Sequence, residues 1–380
     1  MLISYISTSF FPTKQANIVN VLNMCSSITK NKYKVYLFIK TKSGDKKKIL
    51  RKKISKDFDL KGLNNIFIFR KFNFKGNSIL YSIVSSIKTA FLKIDFCFTR
   101  DPISGYICSL LNIPVILELH HPVEYLPSIE YFFLDKLKKR RKFLFLVVIT
   151  NYLRENYIKH NFKENKIIVL PDGANLPDKK VNLINFKDKF DLEIFYVGSL
   201  YEGRGIDILV NLSKKMTGKR FHIVGGNEEQ VAHLKQITST QKNIIFYGHV
   251  SHSQTKKFLH SADVLLAPYQ NEVKIYGGGN TVKWMSPLKV FEYMSFKKPI
   301  IISNLPVFKG ILKDKYNCLL VNPDKICEWK HSILKIEKDK RLAKKIAKQA
   351  FEDIKFKYSW DIRAKKVLSK FEKINRNEFI

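Results

Sequence analysis

Two series of short apolar segments, separated by longer amphipathic stretches such as 17–31 and 78–93, constrain this chain most. In the first half, β-branched and aromatic residues are concentrated at residues 2–7, 33–39, 66–69, 95–99, 113–119, 143–149 and 166–170. In the second half they are concentrated at residues 193–198, 220–225, 243–248, 263–268, 298–303 and 318–321. Continuous apolar strands alternating with helices are typical of parallel sheets covered on both faces. The pattern predicts an α/β fold with two doubly wound, Rossmann-like parallel-sheet domains.

The length of 380 residues also favours two domains over one. We predict an N-terminal Rossmann-like domain at 1–176, a polar, lysine-rich linker at 177–191 and a C-terminal Rossmann-like domain at 192–357. The last stretch, 358–380, is predicted to be a helix that crosses back to the N-terminal domain. Ligands of doubly wound sheets bind beyond the carboxyl ends of the strands. We therefore expect the site in the cleft between the domains.

Composition narrows the class of protein. The longest strongly apolar run, 143–149, is far shorter than the ~20 residues that span a bilayer. The N-terminus lacks a basic region, which argues against a signal peptide. Five cysteines without CxxC spacing indicate reduced thiols and no zinc site. A cytoplasmic protein is expected.

The formal net charge of +35 is concentrated most densely at residues 136–142. Such a cluster can attract anionic lipid head groups or nucleic acid phosphates. A solvated helix end explains it equally well. Peripheral contact with the inner face of the plasma membrane is a possible consequence, and no nucleic acid partner is expected.

The stretch VGSLYEGRGIDIL follows a predicted strand and contains the first candidate site. Gly198 allows a tight turn, and Gly203 and Gly205 flank Arg204 just before a helix. An arginine in this position can bind a diphosphate bidentately, and the helix N-terminus adds N–H donors. An ordinary strand-to-helix loop is the alternative. There is no Walker motif and no complete GxGxxG, which removes support for P-loop and dehydrogenase functions.

The stretch SPLKVFEYM contains the second candidate site. Ser286 and Pro287 are predicted as the N-cap and the first residue of a helix. On that helix Lys289 and Glu292 would be neighbours. They form either a surface ion pair or a pair that faces a ligand at the helix start.

These two stretches, with FTRD, PVILELHH, VITNYLRENY, VLPDGAN, YGHV, ADVLLAPY and the terminal YSW, resemble retaining GT-B glycosyltransferases of the large "family four" group. The order and spacing of the motifs extend over about 350 residues. The resemblance implies a GT-B fold, with an acceptor-binding domain at 1–176 and a nucleotide-sugar-binding domain at 192–357 facing across a cleft. It implies no cofactor and no metal.

The resemblance also implies roles for residues of the donor site. Arg204 would hold the donor diphosphate and stabilise the leaving group, and Glu292 would accept hydrogen bonds from the ribose hydroxyls. Backbone N–H groups near Leu288 and Lys289 would face the phosphates. The Lys289 side chain has two open interpretations, an added charge at the phosphates or solvation, and we favour solvation. The backbone of Val250 would contact the nucleobase.

Two departures from the family pattern concern the donor. Trp284 stands where the family has its first motif glutamate, and Ser199 stands where a basic residue is common. The missing glutamate normally contacts the transferred sugar. Sugar recognition is therefore assigned to the glycine-rich loop that includes Gly278 and Gly279, which suits either close backbone approach or a mobile lid.

In the acceptor half, the resemblance places a catalytic histidine at the end of the strand PVILEL. We assign it to His120, with His121 as the alternative, because neighbouring side chains on a strand face opposite sides. Glu118, on the same side as His120, is predicted to orient it. In the first strand-to-helix loop, Lys14 and Ala16 are weak candidates for ligand contact.

These observations predict a hexosyltransferase that moves a sugar from a nucleotide donor to a glycan or lipid-linked acceptor with retention. Bacterial surface polysaccharide biosynthesis is the expected setting. Two alternatives remain open: a nucleotide-sugar epimerase or hydrolase of the same fold, and a catalytically inactive polyanion- or membrane-binding protein.

Overall fold

In a computed structural model the chain divides into two compact units, which are described separately. Unit 1 comprises Met1–Asp172 and Trp360–Ile380, and unit 2 comprises Gly173–Ser359. The structure describes residues 1–13, 16–42, 44, 46–58, 65–70, 76–177, 183–186, 190–274 and 279–377.

Unit 1 is built on a seven-stranded parallel sheet in the order β3-β2-β1-β4-β5-β6-β7. Its strands are β1 (Leu2–Phe10), β2 (Lys34–Thr41), β3 (Asn65–Arg70), β4 (Phe96–Thr99), β5 (Val115–Leu119), β6 (Phe143–Val148) and β7 (Ile167–Val169). Ile3 of β1 pairs with Val35 on one side and Phe96 on the other. The strand order reverses beside β1, as in a doubly wound sheet.

Unit 2 repeats this design with six parallel strands in the order β10-β9-β8-β11-β12-β13. They are β8 (Glu193–Val197), β9 (Arg220–Val224), β10 (Ile244–Gly248), β11 (Val264–Ala267), β12 (Ile300–Ser303) and β13 (Leu319–Val321). Each of the thirteen predicted strands is present at its predicted place, and the predicted fold class of two doubly wound parallel-sheet domains is confirmed.

Helices connect the strands and cover both faces of each sheet. They are α1 (Ala16–Lys30), α2 (Lys47–Phe58), α3 (Asn77–Phe91), α4 (Pro102–Leu110), α5 (Ser128–Lys138), α6 (Asn151–Lys159), α7 (Ile206–Lys215), α8 (Glu228–Ile237), α9 (His252–Ser261), α10 (Leu288–Ser295), α11 (Ile326–Lys338), α12 (Lys340–Asp353) and α13 (Trp360–Asn377). None of them, over the described ranges, is long and apolar enough to cross a membrane.

Local sequence explains several helix starts. Asp101 caps α4 by accepting hydrogen bonds from the backbone N–H groups of Ile103 and Ser104 at 3.2 and 3.1 Å. Asn227 and Ser251 each begin a helix with a reciprocal capping box. The start of α10 differs from the prediction: Pro287, not Ser286, occupies the N-cap position, and the helix begins at Leu288. The extended conformation of Pro287 (ψ of 116°) excludes it from the first turn.

The core of unit 1 joins the two ends of the chain. α13 packs on α1, and Phe371 contacts Phe96 of β4 with ring centres 4.3 Å apart. Ala364, Val367 and Leu368 are buried in the same cluster. The last helix is therefore an integral part of the first sheet's packing, and its side chains reach the strand ends described below.

Candidate functional site

The loop between β8 and α7 of unit 2 has a backbone path that only glycine permits. Gly203 and Gly205 have φ angles of 81° and 73°. A Cβ at Gly203 would lie 1.8 Å from the Glu272 carbonyl oxygen, and one at Gly205 would lie 1.9 Å from that of Pro268. The loop therefore lies directly against the segment that follows β11, where the Gln270 N–H donates to the Gly203 carbonyl at 2.9 Å. The position of Arg204, between the two glycines, is fixed as a result.

The Arg204 side chain is directed towards an aromatic ring. Its Cζ atom lies 5.1 Å from the centre of the Tyr269 ring, a cation–π distance. Its Nε atom is buried and has no hydrogen-bond partner in the described part of the chain. The guanidinium thus lies beside the first turn of α7 with hydrogen-bonding capacity left for an anion.

Lys289, in the first turn of α10, reaches the same place. Its Nζ atom lies 3.6 Å from the centre of the Tyr196 ring and 5.2 Å from that of Tyr269. A Cβ on Gly198 would lie 2.4 Å from Lys289 Cε. Gly198 is therefore the residue that makes room for this lysine.

The amine of Lys289 is buried, and no hydrogen-bond partner for it is found among the described residues. Burial lowers its pKa well below the ordinary lysine value; nearby Arg204 lowers it further, and Glu292 opposes the shift. The prediction that this side chain is solvated is wrong. Gly198 and the two tyrosine rings form a slot, and the Lys289 side chain lies in this slot and not on the helix surface.

The position of α10 depends on Tyr293. Its hydroxyl accepts a hydrogen bond from the Val197 backbone N–H at 2.7 Å and lies 3.3 Å from the Val197 carbonyl oxygen. This contact joins the helix to the carboxyl end of β8. Glu292, three residues after Lys289, is partly exposed at the same end, close enough to raise the pKa of Tyr269.

The remaining predicted donor residues have different surroundings. Leu288 is the first residue of α10 and is partly exposed. Val250 follows β10 and packs against the core of unit 2. Trp284 is buried, with 6% of its surface exposed. Gly279 is exposed with a φ of 87°, and Gly278 lies outside the described residues.

Sequence reasoning missed the two rings that surround the cations. Tyr196 and Tyr269 are each about 1% exposed. A signal for Tyr196 existed, because residues two apart on a strand face the same side, and Tyr196 precedes Gly198 by two. Nothing local in the sequence marks Tyr269 as their partner.

In unit 1 the structure brings Glu118 and His120 together at the end of β5. His120 Nε2 lies 2.8 Å from Glu118 Oε1. His121 is exposed, and its backbone carbonyl accepts a hydrogen bond from the Tyr157 hydroxyl. Lys14 lies outside the described residues, and Ala16 is the first residue of α1.

A buried arginine from α13 completes this group and was not predicted. Arg363 Nη1 donates to Glu118 Oε2 at 2.9 Å, and Nε donates to the Pro171 carbonyl at 3.0 Å. Asp172, also buried, accepts from the Asn20 amide. The contact between Glu118 and Arg363 spans 245 positions, so no local pattern indicates it.

Burial and neighbouring charges determine the protonation states of Glu118 and His120. Burial alone would raise the pKa of Glu118, but Arg363 and His120 hold it well below its usual range. Burial, with the positive charge of Arg100, lowers the pKa of His120 to about 3. His120 is therefore neutral at physiological pH. Since Glu118 is ionised, His120 donates through Nε2 and keeps Nδ1 as an acceptor.

Removal of Arg363 should leave the buried Glu118 charge without its main partner. We expect Arg363→Met to lower the free energy of unfolding by about 3–5 kcal/mol, measured in urea. The double variant Arg363→Met with Glu118→Gln should lose less free energy of unfolding than the sum of the losses in the two single variants. Arg376→Met, at an exposed position of the same helix, is the control. Strict additivity of the two losses would contradict this account of the ion pair.

Asp172 should make unit 1 less stable as the pH rises. Burial raises its pKa from 3.8 to about 7, against the effect of Arg363. Because the folded value lies above the unfolded one, its contribution is fully present below about pH 4 and is lost as the pH rises towards 7 and beyond. Asp172→Asn should therefore gain stability relative to the wild type between about pH 4.5 and pH 7.5, by roughly 1–3 kcal/mol.

Urea unfolding at both pH values measures this difference. Asp361→Asn, which changes a partly exposed aspartate of the same unit that lies 3.9 Å from Lys30 Nζ, is the control. A wild type and an Asp172→Asn variant with parallel pH dependence would show that Asp172 is ionised throughout this range.

Within the described ranges, no group of three or more His, Cys, Asp or Glu side chains is arranged to hold a metal ion. The basic side chains at the end of β8 are Arg204 and Lys289, and the Glu292 carboxylate lies on the same helix as Lys289.

Comparison with known proteins places these features in context. Residues 178–353 match the family model of glycosyl transferases group 1. The alpha-galactosylglucosyldiacylglycerol synthase of Streptococcus pneumoniae is 25% identical over 249 residues, 60% of this chain and 62% of that protein. The O-antigen chain mannosyltransferase of Salmonella typhimurium is 24% identical over 250 residues, 63% of this chain and 64% of that protein. The match thus spans about three fifths of the length of these two relatives.

Similarity in fold extends further than similarity in sequence. The crystal structure of Anabaena HepE in complex with UDP superimposes with a TM-score of 0.70 over 98% of this chain and 100% of that one, at 11% identity. At this identity the likeness concerns the fold, that of the GT-B glycosyltransferases. The match to the model of glycosyl transferases group 1, at residues 178–353, covers slightly less than half of the chain.

Proposed function

We propose that the chain is a glycosyltransferase that transfers a hexose from a nucleotide-sugar donor to a glycan or lipid-linked acceptor, with retention at the anomeric carbon. The observation that carries this proposal is the buried amine of Lys289, which lacks a hydrogen-bond partner within the described chain and lies near Arg204 at the end of β8. A desolvated amine beside a guanidinium is costly to charge unless an anion binds next to it. The diphosphate of a nucleotide sugar has the required charge and oxygen atoms.

The proposed chemistry follows from these charges. As the glycosidic bond to the donor breaks, negative charge develops on the leaving diphosphate, and Arg204 and Lys289 stabilise it. Glu292, on the same helix, accepts hydrogen bonds from the ribose hydroxyls. The solved HepE structure contains UDP, which supports UDP as the first nucleotide to test.

In unit 1, His120 is proposed to contact the acceptor or the transferred sugar. Its neutral imidazole offers a lone pair at Nδ1, and the bond from Nε2 to Glu118 fixes the ring. Arg363 keeps Glu118 ionised and therefore acts as a positioning residue. Replacement of His120 should lower turnover more than it weakens nucleotide binding.

The acceptor is proposed to be a lipid or a lipid-linked glycan at the inner face of an anionic membrane, in bacterial surface polysaccharide biosynthesis or a related route. The names of the two relatives, a glycolipid synthase and an O-antigen chain mannosyltransferase, support this class. The basic residues 136–142 give the protein a positively charged surface suited to such a membrane.

Calorimetric titration with UDP and UDP-sugars tests the donor site. We expect Arg204→Ala and Lys289→Met each to weaken UDP binding about 10- to 100-fold, because each removes a charge-assisted interaction. Glu292→Ala should weaken binding of the nucleoside part. Lys289→Met should also raise the free energy of unfolding, because it removes a buried amine for which the described residues offer no hydrogen-bond partner.

Lys297→Met, an exposed lysine just after the same helix, is the matched control and should change neither quantity. A Lys289→Met variant that binds UDP as the wild type does would contradict the proposed role of this amine. Absence of binding of any nucleotide by the wild type would favour the inactive polyanion-binding alternative. Turnover of the donor without an acceptor would favour the epimerase or hydrolase.

A further inference from the structure

Helix α3 of unit 1 is turned with its polar side towards the protein. Its buried residues are Tyr81, Ser82, Ser85, Ser86 and Thr89. Its exposed residues include five large apolar side chains: Ile79, Leu80, Ile83, Ile87 and Phe91. The sequence pattern at 78–93 predicts an amphipathic helix, and such helices normally bury their apolar side. In α3 the polar side is buried and the apolar side is exposed.

The five apolar residues form one continuous stripe. At 100° per residue they fall within an arc of about 120°, and they extend ~18 Å along the helix. Phe91, at the C-terminal end, is 83% exposed. A stripe of this regularity differs from the scattered apolar residues of an ordinary surface.

Specific hydrogen bonds explain why the polar side is buried. Ser82 Oγ donates to Asp101 Oδ2 at 2.6 Å, and Ser4 Oγ lies 2.8 Å from Thr89 Oγ1. The Tyr81 hydroxyl donates to the Ser7 carbonyl at 2.8 Å. Buried polar groups with partners of this kind are stable, and small serine side chains allow close packing against α4. The inverted orientation is therefore built into the fold.

The surroundings of the stripe are apolar and positively charged. Neither α3 nor α4 contains an acidic residue. Leu110 and Leu111, at the end of α4, are 52% and 41% exposed. Arg140 Nη2 lies 3.4 Å from the Ser109 carbonyl, so the basic stretch after α5 adjoins the end of α4. The exposed cations of α3, of α5 and of the residues that follow them include Lys88, Lys93, Lys136, Arg140 and Arg141, whereas Lys139 is paired with Asp135.

We propose that the apolar stripe of α3 inserts into the interface of an anionic lipid bilayer, with the flanking lysines and arginines on the phosphate groups. An exposed Phe/Ile/Leu stripe with a basic border has the chemistry of an interfacial helix. A second copy of the chain is disfavoured as the occupant, because two copies would bring the same cationic borders together in a protein of net charge +35.

This inference rests on the proposed function, because a lipid-linked acceptor is what would bring the enzyme to a membrane. It assigns the contact to α3 as well as to the basic residues 136–142. Apolar insertion and electrostatic attraction therefore both contribute, and substitutions at the two places should have separable effects.

Vesicle co-sedimentation with the full chain tests the proposal. We compare vesicles of mixed phosphatidylglycerol and phosphatidylcholine with vesicles of phosphatidylcholine alone. The wild type should bind the anionic vesicles, and Ile83→Gln with Ile87→Gln and Phe91→Gln should bind them on the order of tenfold or more weakly. Glutamine is a good helix former, so α3 should be retained.

The matched control carries Ile237→Gln and Phe356→Gln, which replace exposed apolar side chains of unit 2. It should bind anionic vesicles as the wild type does. UDP binding should be unchanged in both variants, so loss of membrane binding is distinguishable from failure of the donor site.

Phe91→Trp provides a second readout that does not depend on loss of binding. The three native tryptophans are buried, so a new signal reports on position 91. Its emission should shift to the blue with anionic vesicles and be quenched by brominated lipid.

Three results would overturn the proposal. They are absence of wild-type binding to anionic vesicles, undiminished binding by the glutamine variant, and an unshifted emission from the Phe91→Trp variant in its bound state. A wild type that is dimeric by light scattering, with a monomeric glutamine variant, would assign the stripe to a second copy instead.

Discussion

The hydrogen bond between the Tyr293 hydroxyl and the backbone of Val197 determines the geometry of the candidate donor site. It joins α10 to the end of β8 and so determines where the first turn of the helix lies. Lys289 enters the slot beside Tyr196 only because the helix is held there and because Gly198 has no side chain. The glycines on either side of Arg204 place a second cation nearby. A helix, a strand and a loop thus concentrate positive charge at the strand end where doubly wound folds bind ligands.

Unit 1 also buries charged groups near the end of a strand, but there the groups are paired with one another. In the candidate donor site the Lys289 amine and the Nε atom of Arg204 have no hydrogen-bond partner in the described part of the chain, as suits a site completed by a ligand. Around Glu118 the charges satisfy one another: Arg363 and His120 bond to the two oxygens of the same carboxylate. Such a group needs no ligand to be stable, and it presents a neutral imidazole in a fixed orientation. The helix that supplies Arg363 belongs to the same core as β4, through the contact of Phe371 with Phe96.

Much of the fold could be predicted from the sequence, because it depends on local patterns. Apolar runs locate the strands, and their alternation with helices gives the parallel topology. The candidate donor residues could be selected because Gly198, Arg204, Lys289 and Glu292 occur in two short motifs. What could not be predicted depends on tertiary packing. The burial of Lys289 requires a glycine on another element, Arg363 meets Glu118 from the far end of the chain, and the orientation of α3 depends on partners at Ser4, Ser7 and Asp101. An amphipathic pattern gives the two sides of a helix but not which side faces the protein.

Transfer of sugar from a labelled nucleotide donor to a membrane lipid extract tests directly whether the protein is a glycosyltransferase with a lipid acceptor. UDP- and GDP-linked hexoses are supplied in turn, and label is followed into the lipid fraction. The wild type should transfer label from at least one donor, and the anomeric configuration of the sugar should be retained. The Arg204→Ala variant should transfer it on the order of a hundredfold more slowly. If the wild type transfers no sugar from any donor, or if Arg204→Ala is as active as the wild type, the account is contradicted.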